Sequence, residues 1–393
     1  MKKIYLDYNA TTPVDPRVLE AMMPYFRDGF GNPSSIHSFG MRGKGALDRA
    51  REQVAALINA SPREIVFTSG GSESNNYAVK GVAFADVRKR GNHLVTTCVE
   101  HESVLEAFRS LERSGFRVTY LGVDASGIID LDELRDSISD ETILVSCIFA
   151  NNETGTVMPI AGIARIVKEK GAIFHTDAVQ AAGKIPIDTD EIPADLMTLS
   201  AHKFYGPKGA GALYVREGIN KRVRLKPLIH GGGQERGSRS GTENVPAIAG
   251  MGMASEISLR ERKEDELRIR PLRDRLWERF SCDIRGIRLN GDIDRLLFNT
   301  LNVFIGGVSG DSLSMALDLE GIALSTGSAC SEGKVDPSHV LMAMGLSREE
   351  SSSSVRFSLG RFTGDGEIDA AAGIVPRAVD RIREARGGSS RAL

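Results

Sequence analysis

The chain has 393 residues, of which 41% are hydrophobic and 26% are charged, as in an ordinary globular protein. Its 50 basic and 52 acidic side chains give a formal net charge of −2, which argues against a basic nucleic-acid surface and against a polybasic membrane anchor. The length predicts two unequal domains, and residues 1–15 contain no apolar signal core. Because no apolar run approaches the roughly 20 residues that span a bilayer, we predict a cytoplasmic protein.

Seven short apolar runs alternate with amphipathic helical patterns between residues 64 and 215. They read EIVFTS, HLVTTCV, RVTYLGV, ILVSCIFA, AIFHTDA, LMTLS and GALYV. Apolar, β-branched strands spaced by helices predict an α/β domain with a mainly parallel sheet covered on both faces. Ligands bind such sheets at the carboxyl ends of the strands, so we examined the residues that follow each run.

The first run is followed by TSGGSESNN, which opens a helix. Gly71 lets the backbone approach a ligand, and Ser72 adds a hydroxyl beside the amides of the helix N-terminus, so the segment is suited to hold a phosphate. A glycine turn with a serine N-cap explains the same residues.

The second and fourth runs are followed by His101, in VEHES, and by Asn152, in ANNETG. His101 is placed to stack on a cofactor ring and to shuttle protons, although a lone histidine there is more often only a satisfied polar residue. Asn152 is placed to contact both a cofactor ring and a substrate carboxylate.

Asp177 ends the fifth run, AIFHTDA, where a carboxylate among apolar residues needs a partner. Pyridoxal phosphate (PLP) enzymes need such a group to keep the pyridine nitrogen protonated, and Gln180 lies within reach of the phenolic oxygen of that cofactor. An N-cap or a salt bridge explains Asp177 equally well.

The sixth run ends in Ser-x-His-Lys before a glycine-rich turn, as LMTLSAHKFYGPKGAG. Lys203 has apolar neighbours that lower the pKa of an amine and favour imine formation, whereas Lys208 reads as an exposed turn residue. Ser200 and His202 flank Lys203, where a phosphate oxygen can be reached. Two strand ends that carry Asp177 and Lys203 are a more specific signal than either residue alone.

Residues 246–280 form one long helical pattern, which we interpret as the bridge between domains. Beyond it, IRLNG, TLNVFIG, IALST and SVRFSLG read as strands, with helices beginning near Gly310, Asp336 and Asp365. We therefore predict a large domain over residues 16–257, and a smaller α+β domain over residues 1–15 and 258–393.

The four cysteines form no Cys-x-x-Cys pair, which argues against a structural zinc site and a disulfide framework. Cys98 and Cys147 lie in apolar runs that we interpret as buried strands, and Cys282 lies near a helix end, so all three are predicted to be structural. Cys330, in STGSACSEGKVDPSHV, is surrounded by small polar residues that favour an exposed and reactive thiol. An incidental loop cysteine is the alternative.

Arg356 lies mid-strand in SVRFSLGRF, where an unpaired charge is costly. A bidentate bond to a substrate carboxylate removes that cost, and so does an internal ion pair.

Taken together, these segments resemble the PLP-dependent cysteine desulfurases of the NifS/IscS type, in the aminotransferase class V superfamily. The resemblance runs from the first strand to SLGRFT and the helix after it. Its motifs stand in the family order as IYLDYNATTP, GNPSSIH, NNETG, HTDAVQ, SAHKFYGPKG, HGGGQERGSRSGTENV and STGSACSEG.

The resemblance implies PLP fold type I, with Lys203 carrying the cofactor and later removing the α-proton of the substrate. It implies that Cys330 receives the sulfur as a persulfide, and that Cys330 could transiently ligate a [2Fe–2S] cluster shared with a scaffold protein. Asp177 would pair with the pyridinium, Gln180 with the phenolic oxygen, and His101 would stack on the ring. The implied phosphate contacts are Gly71, Ser72, Ser200, His202 and Thr242 of the partner subunit, and the implied substrate ligands are Asn152 and Arg356.

The expected protein is a homodimeric L-cysteine desulfurase that supplies sulfur for iron–sulfur cluster assembly. Selenocysteine lyase is the nearest alternative, and another class V enzyme, which would not need Cys330, is the second. A sulfur carrier or scaffold partner without catalysis is the third, and intact Lys203, Asp177 and Cys330 argue against it.

Overall fold

A computed structural model describes residues 3–85, 91–217, 225–326 and 337–389 of the chain. A seven-stranded sheet forms the larger part. Its strands are β2 (Ile65–Thr68), β3 (His93–Thr97), β4 (Arg117–Leu121), β5 (Thr142–Ser146), β6 (Ile173–Asp177), β7 (Leu196–Ser200) and β8 (Gly211–Val215).

The strand order in this sheet is β2-β8-β7-β6-β5-β3-β4. Neighbours from β7 through to β4 are parallel, whereas β8 runs antiparallel to both β7 and β2. All seven runs predicted as strands are strands of this sheet, so the predicted mainly parallel α/β fold is confirmed. β5 ends at Ser146, earlier than predicted, although the backbone N–H groups of Cys147 and Phe149 still donate to carbonyls of β6.

Helices cover both faces of the large sheet. They are α3 (Ser38–Leu57), α4 (Gly71–Ala83), α5 (Glu102–Glu112), α6 (Leu131–Ser137), α7 (Ile160–Glu169) and the first part of α8 (Val245–Asp283), with α1 (Pro16–Met22) and α2 (Pro24–Arg27) beside α8. Successive strand residues point to opposite faces, so Leu94 packs in one buried cluster, with α4 and α5, while Val95 packs in the other, with α3, α7 and α8. This double burial explains why the strands are apolar throughout.

The smaller sheet is antiparallel, in the order β12-β13-β10-β9. Its strands are β9 (Ile287–Leu289), β10 (Thr300–Ile305), β12 (Ser325–Thr326) and β13 (Ser354–Ser358), while β1 (Ile4–Tyr5) pairs separately, in parallel, with β11 (Ile322–Ala323). The surrounding helices are α9 (Gly310–Leu319), α10 (His339–Ala343), α11 (Arg348–Ser352) and α12 (Asp365–Ser389). The predicted smaller α+β unit is therefore present.

Other details also differ from the predictions. IALST forms two short strands, β11 and β12, instead of one. The helix predicted near Asp336 begins at His339, and Asp336 itself lies outside the described residues. The bridging helix α8 extends slightly beyond its predicted range, from Val245 to Asp283, with Pro271 inside it.

The N-terminal strand packs with the C-terminal part of the chain. Leu6, Phe280, Val303 and Phe357 belong to one buried cluster. Leu341 of α10 packs instead with the core of the large sheet. The exact domain boundaries at residues 16 and 257 stay a prediction.

Cys98 and Cys147 each follow a strand instead of lying in it. Cys147 is buried, Cys98 is half-buried and Cys282 is exposed near the end of α8. Among the residues described, no helix is both long and apolar enough to cross a membrane.

Candidate active site

The residues that follow the strands of the large sheet surround a cavity of about 370 Å³. Its lining is Asn9, Ala10, Gly71, Ser72, Asn75, His101, Ser103, Ile148, Asn152, Asp177, Val179, Gln180, Ser200, His202, Lys203 and Arg356. The structure therefore brings together ten of the twelve residues predicted for the site. Thr242 is exposed and does not line the cavity, and Cys330 lies outside the described residues.

The N-terminus of α4 faces this cavity with its amides uncapped. Gly70 adopts a φ of +153°, which favours glycine, and no side chain caps the first amides of the helix. The alternative of a serine N-cap is therefore wrong, because Ser72 is the second residue of the helix and its side chain is exposed. Free amides and a nearby hydroxyl together suit an anion such as a phosphate.

The Asp177 carboxylate is buried, at 3% exposure, and its two oxygens are held by different groups. Asn75 Nδ2 donates to Oδ2 over 2.7 Å, and the backbone N–H of Val179 donates to Oδ1 over 2.9 Å. Asn75 Nδ2 also lies 2.9 Å from Ser103 Oγ. These bonds orient the carboxylate at the cavity wall, and no described cation forms a salt bridge with it.

The Lys203 amine is held by the backbone of the N-terminal segment. Its Nζ donates to the carbonyl oxygens of Asn9 and Ala10, over 2.7 and 2.8 Å. Lys208 is exposed in the following turn and does not line the cavity. The geometry therefore favours Lys203 over Lys208 as the amine of this site.

His101 is the N-cap of α5, and its Nδ1 accepts the backbone N–H of Ser103 over 3.1 Å. That bond places the proton of a neutral ring on Nε2. Burial lowers the pKa of His101, against the opposing effect of the Asp177 carboxylate, so the ring is neutral near pH 7. Burial and the Lys203 charge also lower the pKa of His202, to about 4.

Of the two alternatives for Arg356, the structure contains the internal ion pair. Arg356 Nη2 donates to Asp7 Oδ1 over 2.7 Å and its Nη1 donates to the Asn152 carbonyl over 2.8 Å. The Nε of Arg356 is buried without a hydrogen-bond partner among the described residues, and the side chain lines the cavity. A donor therefore remains for a ligand.

Gln180 is held from two sides. Its Nε2 donates to the Asn9 carbonyl over 2.8 Å, and its Oε1 accepts from Lys184 Nζ over 2.8 Å. Sequence reasoning missed Lys184, because a single lysine in a turn normally indicates only an exposed charge.

Glu100 is a second buried group that sequence reasoning missed. Its Oε1 accepts hydrogen bonds from Thr97 Oγ1 and from the backbone N–H of Ile148. These two bonds connect the end of β3 with the segment that follows β5. Its Oε2 is buried with no described partner, and burial raises the pKa of Glu100 to about 8. The folded protein therefore retains a proton on Glu100 at neutral pH.

The proton on Glu100 makes the free energy of unfolding depend on pH. Because the pKa is higher in the folded chain than the roughly 4.3 of an unfolded glutamate, the contribution of Glu100 to stability falls as pH rises towards about 8. Between pH 5 and pH 8.5, the free energy of unfolding of Glu100→Gln should therefore rise by more than about 1 kcal/mol relative to that of wild type, since one pKa unit corresponds to about 1.4 kcal/mol. Urea unfolding of both proteins at both pH values measures this gain. A stability difference that does not change with pH would mean that Glu100 is ionised in the folded protein.

No group of three or more His, Cys, Asp or Glu side chains that could hold a metal ion occurs in the described part of the chain. The predicted transient cluster ligand, Cys330, lies outside that part.

Comparison with known proteins identifies the family. A model of the aminotransferase class V family matches residues 4–371. A protein of Clostridium botulinum named cysteine desulfurase IscS is 47% identical over 385 residues, which cover 98% of this chain and 96% of the relative.

Solved structures agree with this match. A NifS-like protein superposes with a TM-score of 0.90 at 40% identity, covering 96% of this chain and 99% of that one. A structure described as SspA in complex with cysteine has a TM-score of 0.81 at 40% identity, covering 92% of this chain and 100% of that one. With its strand-end lysine and aspartate facing one cavity and its sequence matched over nearly the whole length, the chain belongs to the aminotransferase class V family.

Proposed function

We propose that this protein is a PLP-dependent cysteine desulfurase, which converts L-cysteine to L-alanine and supplies the sulfur for iron–sulfur cluster assembly. The observation that carries the proposal is the convergence of the Lys203 amine, the Asp177 carboxylate and the Arg356 guanidinium on one cavity. The relative named cysteine desulfurase and the structural neighbour that contains cysteine support the choice of substrate.

The polar groups of the cavity fit PLP by their chemistry. The uncapped amides of α4, with Ser72 and Ser200, suit the phosphate, and the buried Asp177 carboxylate suits the protonated pyridine nitrogen. Lys203 supplies the amine that carries the cofactor. When bound, PLP supplies an electron sink conjugated with the α-carbon of the substrate.

Lys203 and His101 handle the protons in this proposal. The Lys203 amine would remove the α-proton of the substrate, and the Asn9 and Ala10 carbonyls that hold its Nζ keep it at the cavity. His101 is neutral and carries its proton on Nε2, so it could donate a hydrogen bond from that atom, and its ring would contact the cofactor in the cavity.

Cys330 receives the sulfur. Its thiolate attacks the substrate sulfur and forms an S–S bond, while the substrate C–S bond breaks and leaves its electron pair on the carbon. That carbon takes up a proton and the product leaves as alanine, so a thiol and cysteine become a persulfide and alanine. The persulfide then passes its outer sulfur to an acceptor such as an iron–sulfur scaffold protein.

Arg356 binds the substrate carboxylate, together with Asn152. We expect Arg356→Ala to raise the KM for cysteine about 10- to 150-fold, because a hydrogen bond to a charged group contributes about 1.5–3 kcal/mol. Steady-state kinetics measure the change. The matched control is Asp7→Asn, which breaks the internal ion pair but leaves the guanidinium in place, and should change KM much less. An unchanged KM in Arg356→Ala would limit Arg356 to its pair with Asp7.

A homodimer is part of the proposal. Large apolar side chains are exposed over the segment from α1 to the start of α3, namely Leu19, Phe26, Phe30, Ile36, Phe39 and Met41. Apolar exposure of this extent is typical of a protein interface. A partner subunit would also explain why Thr242 is exposed and away from the cavity of its own chain, since it would serve the site of the partner. Sedimentation equilibrium measures the mass of the assembly and so tests for the dimer.

The cytoplasmic location of the protein stays a prediction.

The experiment that tests the function is direct. Protein loaded with PLP should release alanine from L-cysteine, with one sulfur transferred for each alanine, and should convert other amino acids far more slowly. Formation of pyruvate and ammonia in place of alanine would assign the chain to a different class V reaction.

A further inference from the structure

Lys184 is a buried amine for which the mechanism above has no role. It lies between β6 and β7 and is only 7% exposed. Lysine is rarely buried this deeply without an acidic partner, because the charged amine loses its hydration. Yet no carboxylate in the described part of the chain forms a salt bridge with Lys184.

Both hydrogen bonds of Lys184 go to one residue. Its Nζ donates to Gln180 Oε1 over 2.8 Å and to the Gln180 carbonyl over 3.1 Å. A neutral amine has two N–H groups, so these two acceptors satisfy both of its donors. Burial, with the nearby charges of Lys203 and Arg356, lowers the pKa of Lys184 to about 7, so a large neutral fraction is present at physiological pH.

The bond from Lys184 to Oε1 and the bond from Nε2 to the Asn9 carbonyl together hold the orientation of the Gln180 amide. An amide that can rotate presents either its oxygen or its NH₂ group to a neighbour. Because Lys184 occupies the oxygen, the NH₂ group faces the Asn9 carbonyl and the cavity. One of its two N–H groups donates to Asn9, and the other remains for a ligand.

We infer that Lys184 is a positioning residue, which holds the Gln180 amide so that an N–H, and not a carbonyl oxygen, faces the phenolic oxygen of the bound cofactor. The inference rests on the proposed function, because it needs PLP in this cavity. It adds a residue behind the cavity wall that sets the proton affinity of the Lys203 nitrogen.

The physical effect has a definite sign. An N–H donor to the phenolic oxygen stabilises the more negative form of the site, in which the Lys203 nitrogen that carries the cofactor has lost its proton. Lys184→Met, which keeps the volume of the side chain, removes one of the two hydrogen bonds that hold the side-chain amide and so weakens its orientation. We expect the pH at which the visible absorbance of the loaded protein changes to rise by about one unit, since a hydrogen bond to a charged group corresponds to about one pKa unit.

A charge effect of Lys184 on Lys203 would shift the absorbance in the same direction, so a second background is needed. In Gln180→Ala, Lys184 has no amide to orient. Adding Lys184→Met there should cause no further shift, because residues that act as one unit are not additive. A shift of equal size in both backgrounds would overturn the inference in favour of a direct charge effect.

The matched control is Lys208→Met, which removes an exposed lysine near the same strand end and should titrate as wild type. Lys184→Gln provides a second variant that keeps an N–H donor, and its shift should be smaller than that of Lys184→Met. If the absorbance of both Lys184 variants titrates as that of wild type does, or if both variants lose the fold, the positioning role is wrong. Alanine formation by wild type tests the proposed function separately, since every titration compares one PLP-loaded protein with another.

Discussion

Lys203→Ala should form no measurable alanine from cysteine, a loss of more than about 10⁴-fold. The variant loses both the amine that carries the cofactor and the general base, and general-base catalysis alone contributes about 10²–10⁴-fold. Alanine released per enzyme, measured by chromatography, gives the rate. Borohydride treatment followed by mass measurement should attach the cofactor to wild type and leave the variant unmodified.

Lys208→Ala is the matched control for this variant. It removes a lysine five residues away that is exposed and does not line the cavity, so its activity and its borohydride product should equal those of wild type. Covalent cofactor in borohydride-treated Lys203→Ala would place the reactive amine elsewhere, and Lys208 would be the first candidate.

Cys330→Ser should retain the cofactor and lose alanine formation from cysteine. The groups that suit PLP are Lys203, Asp177 and the N-terminus of α4, none of which the substitution changes, so the visible absorbance should be that of wild type. Adding cysteine should still change the spectrum, because substrate binding does not need the thiol. Without an acceptor for the sulfur, the C–S bond should stay intact.

Selenocysteine separates the desulfurase from the lyase alternative. A C–Se bond breaks more readily than a C–S bond, so its cleavage does not need the thiol to the same extent. If Cys330→Ser still converts selenocysteine but no longer converts cysteine, the protein is a desulfurase with an incidental lyase activity. Cys282→Ser, which removes an exposed thiol on α8, is the control and should behave as wild type on both substrates. Full activity of Cys330→Ser on cysteine would contradict the persulfide mechanism.

The large sheet could be predicted from the sequence because each of its strands is buried on both faces. Such strands form unbroken apolar runs, and a polar residue at the end of a run is conspicuous. Asp177, Lys203 and His101 were found in this way, since the carboxyl ends of neighbouring parallel strands meet at one edge. The short strands β11 and β12 gave a weaker signal, because two-residue strands are too short to show a period.

The groups that hold Lys203 and Arg356 in place could not be predicted from the sequence, for two different reasons. The carbonyl oxygens that hold Lys203 belong to the backbone of Asn9 and Ala10, and a backbone group leaves no mark in the sequence. Asp7, which pairs with Arg356, lies 349 residues away from it in the sequence. The two residues come close because the N-terminal segment pairs with the end of β13.

Asn75 could have been found. The sequence places a helix start at Gly71, so Asn75 lies one turn later on the same side as the glycine that faces the cavity. An amide at that spacing faces the strand ends of the sheet, and in the structure it is buried and donates to Asp177. Lys184 and Glu100 offered no comparable signal, because burial of a charged residue in a turn depends on the tertiary packing.

The most direct test of the account is one turnover of wild-type protein with cysteine that carries labelled sulfur. The account predicts one alanine per active site and labelled sulfur bound to the peptide that contains Cys330, released by a thiol reductant. The matched sample of Cys330→Ser should give neither product. Stoichiometric alanine from wild type with all labelled sulfur free in solution, or bound to Cys98, Cys147 or Cys282, would contradict the account.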